Sequence, residues 1–251
     1  MSLPDYQPSY KRWENDEGKR WYYIPELGHE VPSVTTIISI LEKYALRPWY
    51  AKIAVQYIKD EILDSITSID ELRAMDVNQI IKDAKADPKR IAENACDIGK
   101  RTHSAIESYL HGIATDFDDD VHTTFGAFYV WWWEHDGEVV HNERTVWSRA
   151  LYAGTLDLVA WLTFDGKRKL YLIDIKTSNG FYSPDMPLQL AAYRHAHKEM
   201  TGQSVDGMGI IRLDKKTGIP HWKEYGDYRK HLSAFLKLKD YFLIIHKEPK
   251  Q

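Results

Sequence analysis

Asp157, Asp174 and Lys176 are the residues of this chain best suited to do chemistry together. Two carboxylates held close repel each other unless one takes a proton or a cation lies between them. Among apolar neighbours, a hard divalent ion with oxygen ligands is the natural resolution. A lysine ammonium alongside would stabilise negative charge as it develops. The milder alternative is a partly solvated hairpin whose acids face water, with Lys176 as a neutralising neighbour. An Asp-x-Lys triplet arises by chance about once in a chain of this length. The information therefore lies in how the triplet is paired.

The elements that would do the pairing are two strands. Gly154 to Leu162 is rich in strand formers, and Leu170 to Lys176 is apolar on both faces, as a central strand is. Asp165-Gly166 between them favours a two-residue hairpin turn. Counting outward from that turn sets Asp157 directly opposite Asp174, with β-carbons about 4.5–5.5 Å apart. Lys176 follows Asp174 by two residues and shares its face.

The chain has 251 residues, 43% of them apolar and 28% charged, which suits a soluble globular protein of one large domain or a core with one insertion. No apolar run approaches the roughly 18 residues of a membrane span, and no charged-then-apolar leader opens the sequence, so membrane and secretory readings are set aside. The single Cys96 rules out an intramolecular disulfide, suggests a reducing compartment and cannot hold an iron–sulfur cluster. The net charge of −4 weighs mildly against nonspecific nucleic-acid binding, but Asp116, Asp118, Asp119 and Asp120 form one local acidic run.

Ahead of the hairpin, residues 10–24 read as a short aromatic hairpin turning at Asn15 to Gly18. Val31 to Thr36 leads into a helix capped by Ser33 or Thr35. A second helix starts near Pro48, Ser68 to Glu71 is a capping box for a third, and a fourth covers Val77 to Lys85. Asp87-Pro88 then caps a helix to His111-Gly112, on which His103 and Glu107 stack on one face. Gly99, one turn before His103, makes sense where another backbone or a substrate passes close. Taken alone, His103 is a satisfied surface histidine. A helix from Val121 to Glu134 ends in Trp131-Trp132-Trp133, which cannot all face one core. One or two of them could lie outside as stacking surfaces for bases, but core packing or partner contact is the expected use. Glu138 to Trp147 alternates like a strand. After Lys176 come a loop to Pro184, a helix from Asp185 to Met200 bearing Gln189 and Tyr193, a closing hairpin over residues 205–225, and a helix from Tyr228 to His246 with four basic residues that could reach phosphates.

Gly154-Thr155-Leu156-Asp157 and Asp174-Ile175-Lys176-Thr177 together resemble the PD-(D/E)XK nuclease superfamily, in particular its RecB-like exonuclease branch. Leu156 stands where that pattern often has Pro. Gly99-x-x-x-His103-x-x-x-Glu107 resembles the branch's helix motif, and Gln189-x-x-x-Tyr193 its third motif. The resemblance covers roughly residues 33–225, closely only at the motifs. It implies that His103, Asp157 and Asp174, with the Ile175 carbonyl, hold Mg²⁺ or Mn²⁺ and that Lys176 assists the attacking water. It places Glu107 in support, Glu143 near the metal, and Gln189 and Tyr193 beneath the site and against the nucleic-acid backbone.

The expected fold class is α/β: a mixed central sheet flanked by helices, with a restriction-endonuclease-like core and an N-terminal helical region. The expected division is residues 1–137, a hairpin and helices carrying the His motif, and residues 138–251, the nuclease core with a C-terminal helix, the two forming one compact unit. The resemblance implies a cytoplasmic DNA exonuclease of bacteriophage, repair or recombination type; the helical layer that must bring His103 to the metal would narrow the cleft, so a preference for single-stranded or frayed ends is expected. A structure-dependent endonuclease, a silent nucleic-acid-binding protein and a glycosidase using the two aspartates are the alternatives. Lys176 and the helix histidine suit a phosphodiester and a metal better than a sugar.

Overall fold

The computed structural model describes residues 10–41, 46–65, 68–114, 117–178, 180–181 and 185–246. Asp116 of the acidic run and part of the loop after Lys176 lie outside them. Two compact units divide the chain, residues 1–41 with 102–251, and residues 42–101. The expected division at 137/138 does not coincide with these boundaries, because residues up to 41 and from 102 onward pack with the sheet.

The first unit opens with β1 (Lys11–Glu14), β2 (Arg20–Ile24) and β3 (His29–Pro32), an antiparallel sheet in chain order. The third strand was hidden in the sequence, since only Val31 and Pro32 of its four residues are buried. Ser33 caps the short α1 (Val34–Ile38), its hydroxyl accepting from the Thr36 amide. This small sheet meets the start of the large one through the Ser33–Ala153 bridge and a Tyr22–Thr155 hydroxyl pair at 3.2 Å.

The second unit holds α2 (Leu46–Ser65), α3 (Ile69–Ala74) and the first part of α4 (Val77–Leu110). The capping box forms as expected, with Ser68 and Glu71 each taking the other's amide. Pro88 does not start a helix; α4 runs through it unbroken. A proline inside a helix removes one backbone bond and strains one turn, and 34 residues of continuous helix outweigh that. Asp87, expected as a cap, instead pairs with Arg90 one turn on. At the other end Gly112 takes a left-handed φ of 70° and the Ile113 amide returns to the Ser108 carbonyl, closing α4 where the sequence expected it.

α5 (Asp119–Glu134) follows, then β4 (Glu138–Ser148), β5 (Tyr152–Phe164), β6 (Lys167–Lys176), α6 (Met186–Thr201), β7 (Gly207–Leu213), β8 (Pro220–Glu224) and α7 (Tyr228–Ile245). The five strands lie in chain order in one sheet, all antiparallel neighbours except β6 and β7, which α6 makes parallel. The protein is thus mixed α/β, with helices on both faces of the sheet. On one face α1, α6 and α7 pack on Val159, Leu172 and Ile210; on the other, Ile106 of α4 and Phe128 of α5 pack on Leu158, Ile173 and Ile211.

Of the three tryptophans, Trp131 and Trp132 are buried, stacked on Trp222 and Phe128, while Trp133 is 63% exposed. Only Trp133 of the three presents a surface for stacking. No helix among the described residues is long and apolar enough to cross a membrane.

Candidate metal centre

Asp165 and Gly166 both adopt positive φ, 50° and 71°, the requirement of the two-residue turn. The β5–β6 ladder then runs from Phe164–Lys167 to Leu158–Ile173 in the register read from the sequence. It stops one step before Asp157 would face Asp174. Residues two apart on a regular strand share a face, yet Leu156 packs in one core layer and Leu158 in the other. The strand therefore slips at Asp157.

Backbone groups released by that slip must find partners elsewhere. The Asp157 carbonyl accepts from the Asn142 side chain at 2.9 Å, and the Ile175 amide donates to Asp157 Oδ2 at 2.7 Å. Asn142 was not singled out from the sequence, and a lone Asn on a strand offers no signal that would have found it. Its neighbour Glu143 has φ of 47°, a conformation rare for a side chain of this size. Strain of this kind clusters at functional sites.

Against this irregular point α4 brings His103. Its Nδ1 lies 3.4 Å from Glu143 Oε1 and 3.9 Å from Asp157 Oδ2. Its Nε2 lies 3.0 Å from the Ile175 carbonyl. A carbonyl only accepts, so Nε2 carries a proton in either charge state, and Nδ1 faces the two acids, where a second proton would give way to a cation. Ligand atoms of His103, Glu143 and Asp157 all fall within 4.8 Å of one another. Burial alone would lower the His103 pKa, but Asp157 and Glu143 carry it up to about 9. Burial raises that of Asp157, opposed by His103 and Lys176. An imidazole and two carboxylates around one point are a set that a divalent cation fits.

Asp174 stands apart from that triad. It is buried, with Lys176 Nζ 2.9 and 2.7 Å from its two oxygens and Gln189 Nε2 donating to Oδ1 at 2.8 Å. Its Oδ2 has no aligned hydrogen-bond donor despite the close ammonium, so one buried lone pair remains for a cation. Burial, partly offset by Lys176, pushes the Asp174 pKa up to about 6. Burial would lower that of Lys176, but Asp174 and Asp157 raise it.

The Ile175 carbonyl orients His103 by accepting its Nε2 proton. Glu143 joins the converging donors, and Glu107 does not; its carbonyl accepts from the His111 ring at 2.9 Å. Gln189 does sit beneath the site, on Asp174. Tyr193 is 3% exposed, and a Cβ on Gly154 would come within 2.6 Å of its ring. The ring props the start of β5 and presents no face to a nucleic acid. Gly154 is the residue that lets it approach.

No family model matches the chain, and no curated protein matches it. Among solved structures, one described as the crystal structure of SSO0001 aligns with 82% of this chain and 90% of its own at 14% identity, with a TM-score of 0.31.

Proposed function

We propose that this protein is a Mg²⁺- or Mn²⁺-dependent deoxyribonuclease built on a restriction-endonuclease-like core and acting in the cytoplasm, that of the host if it is phage-encoded. The observation that best supports this is the convergence of His103, Glu143 and Asp157 beside the buried Asp174–Lys176 pair. Such an ion, when bound, lowers the pKa of water and draws charge from the attacked phosphate. His103 Nδ1, Glu143 and Asp157 would hold it, with Asp174 Oδ2 as a further oxygen. Lys176 would orient the attacking water and neutralise charge on the phosphate oxygens. Gln189 would keep Asp174 aimed. A glycosidase would need its two carboxylates free to act as acid and nucleophile; here one is committed to a lysine and an amide.

Within this reading the protein is an exonuclease preferring single-stranded or frayed ends. Helix α4 from Thr102 onward covers one side of the sheet and brings His103 onto the carboxylates. A strand passing a helical wall enters more readily by its end. The test is incubation of end-labelled linear DNA and covalently closed single-stranded circles in Mg²⁺ or Mn²⁺, with EDTA controls. Metal-dependent loss of the linear DNA alone is expected. Equal loss of circles would make this an endonuclease, and binding without cleavage in either metal would make it a silent DNA-binding protein.

A further inference from the structure

Beside the proposed centre, three neighbouring strands carry a row of basic residues on one face. Lys176 of β6 pairs with Arg212 of β7, which pairs with His221 of β8, and Lys223 of β8 pairs with Ile210, itself the partner of Asp174. Directly paired residues share a face, so the row leads away from Asp174 and Lys176 in steps of about 4.8 Å.

Its members are held together against their own repulsion. Arg212 is 8% exposed, with its guanidinium carbon 5.8 Å from the centre of the Phe181 ring. Lys223 Nζ lies 5.4 Å from that same ring and 5.0 Å from Tyr225. Aromatic faces attract cations and keep their head groups in place. Asp214 takes one arm of Arg212 at 2.9 Å, and the Ser178 carbonyl accepts from that arm at 3.4 Å. Arg212 Nε is buried with no hydrogen-bond partner, and no ion-pair partner for Lys223 occurs among the described residues. An unsatisfied buried guanidinium N–H is costly and calls for an acceptor.

We infer that Arg212 and Lys223, positioned by Phe181, form a subsite for a backbone phosphate of the nucleic-acid strand next to the one being cleaved. This rests on the nuclease reading for its ligand. Arg supplies a directed fork and Lys a mobile charge, the usual division for phosphate contacts. Both are positioning residues and neither touches the reacting atoms.

The experiment is fluorescence anisotropy of a labelled single-stranded oligothymidine bound to the full chain in Ca²⁺, titrated with salt. Lys223→Ala is expected to weaken binding about two- to fivefold and Arg212→Gln about tenfold or more. Each should lower the slope of log Kd against log salt by about one contact. Phe181→Ala should weaken binding with the slope reduced in part. A merely structural role would leave the slope unmoved. Lys223 is exposed, so its variant should keep the wild-type unfolding midpoint and stands in if Arg212→Gln fails to fold. Unchanged affinity and slope in Lys223→Ala, or no oligonucleotide binding by the wild type, overturns the subsite. Cleavage in Mg²⁺ is scored separately: a wild type that binds with these slopes and never cleaves would sink the nuclease reading and leave the subsite standing.

Discussion

The Lys176 ammonium touches both oxygens of Asp174 and, among the described residues, none of the triad of His103, Glu143 and Asp157. Lys176→Ala should therefore abolish cleavage while Mn²⁺ still binds. Single-turnover assays would check this; more than about a tenth of the wild-type rate would remove Lys176 from the reaction, since such groups contribute about 10²–10⁴-fold. The triad makes a second expectation. Glu143→Gln and Asp157→Asn should each weaken Mn²⁺ binding by more than about 100-fold, and Asp174→Asn by only about 10–100-fold, the range for a supporting group. Calorimetric titration gives the order directly. Should Asp174→Asn prove the most damaging, the converging donors would not be the ligands. From the sequence alone, Asp174 and Asp157 looked equivalent and Glu143 secondary. Pairing register could show that the aspartates approach; it could not show that Lys176 and Gln189 would claim one of them.

At the scale of elements, the site depends on a strand whose ladder with β6 ends just short of Asp157 and whose faces exchange there, while its pairing with β4 continues on both sides. The ladder with β6 was legible, because Asp165-Gly166 permits only a narrow set of turns and a turn sets register. The slip was not legible, since it follows from tertiary demands: Leu156 and Leu158 serve opposite cores, and the Asn142 side chain donates to the Asp157 carbonyl. Pro88 misled for the reverse reason, a local signal overridden by helix on both sides. Gly154 shows the same dependence on neighbours. Gly154→Ala would thrust a Cβ to 2.6 Å from the Tyr193 ring, which should cost about 1–3 kcal/mol. Urea unfolding of Gly154→Ala, Tyr193→Leu and the double variant should give a strong coupling between them; simple additivity would mean the strand shifts without penalty.

For the molecule as a whole, acid tolerance should be limited by a histidine remote from this chemistry. His197 of α6 is fully buried, its ring nitrogens meeting no partner beyond a weak contact to the Gln203 backbone. Burial, then His141 and Arg144, push its pKa down to about 4. An unfolded imidazole titrates near 6.5. Between those values the unfolded chain binds a proton that the folded chain refuses, so stability present above pH ~6.5 is lost as pH falls toward 4, by up to about 1.4 kcal/mol per pH unit. His197→Leu should flatten that decline in urea midpoints taken at pH 7 and pH 5, and an unaltered decline would assign it to other groups. The strand order has its own consequence, for how the chain reaches this state. The three antiparallel pairs of the large sheet can zip through short loop closures, which are entropically mild, while β6 and β7 pair residues 36 apart across α6. The contacts of His103 to Glu143 and Ile175 span 40 and 72 residues, and the second closes a loop larger than any strand pairing in the sheet. Folding in that order would finish the scaffold before its charges meet, sparing the chain two buried acids on a half-built sheet.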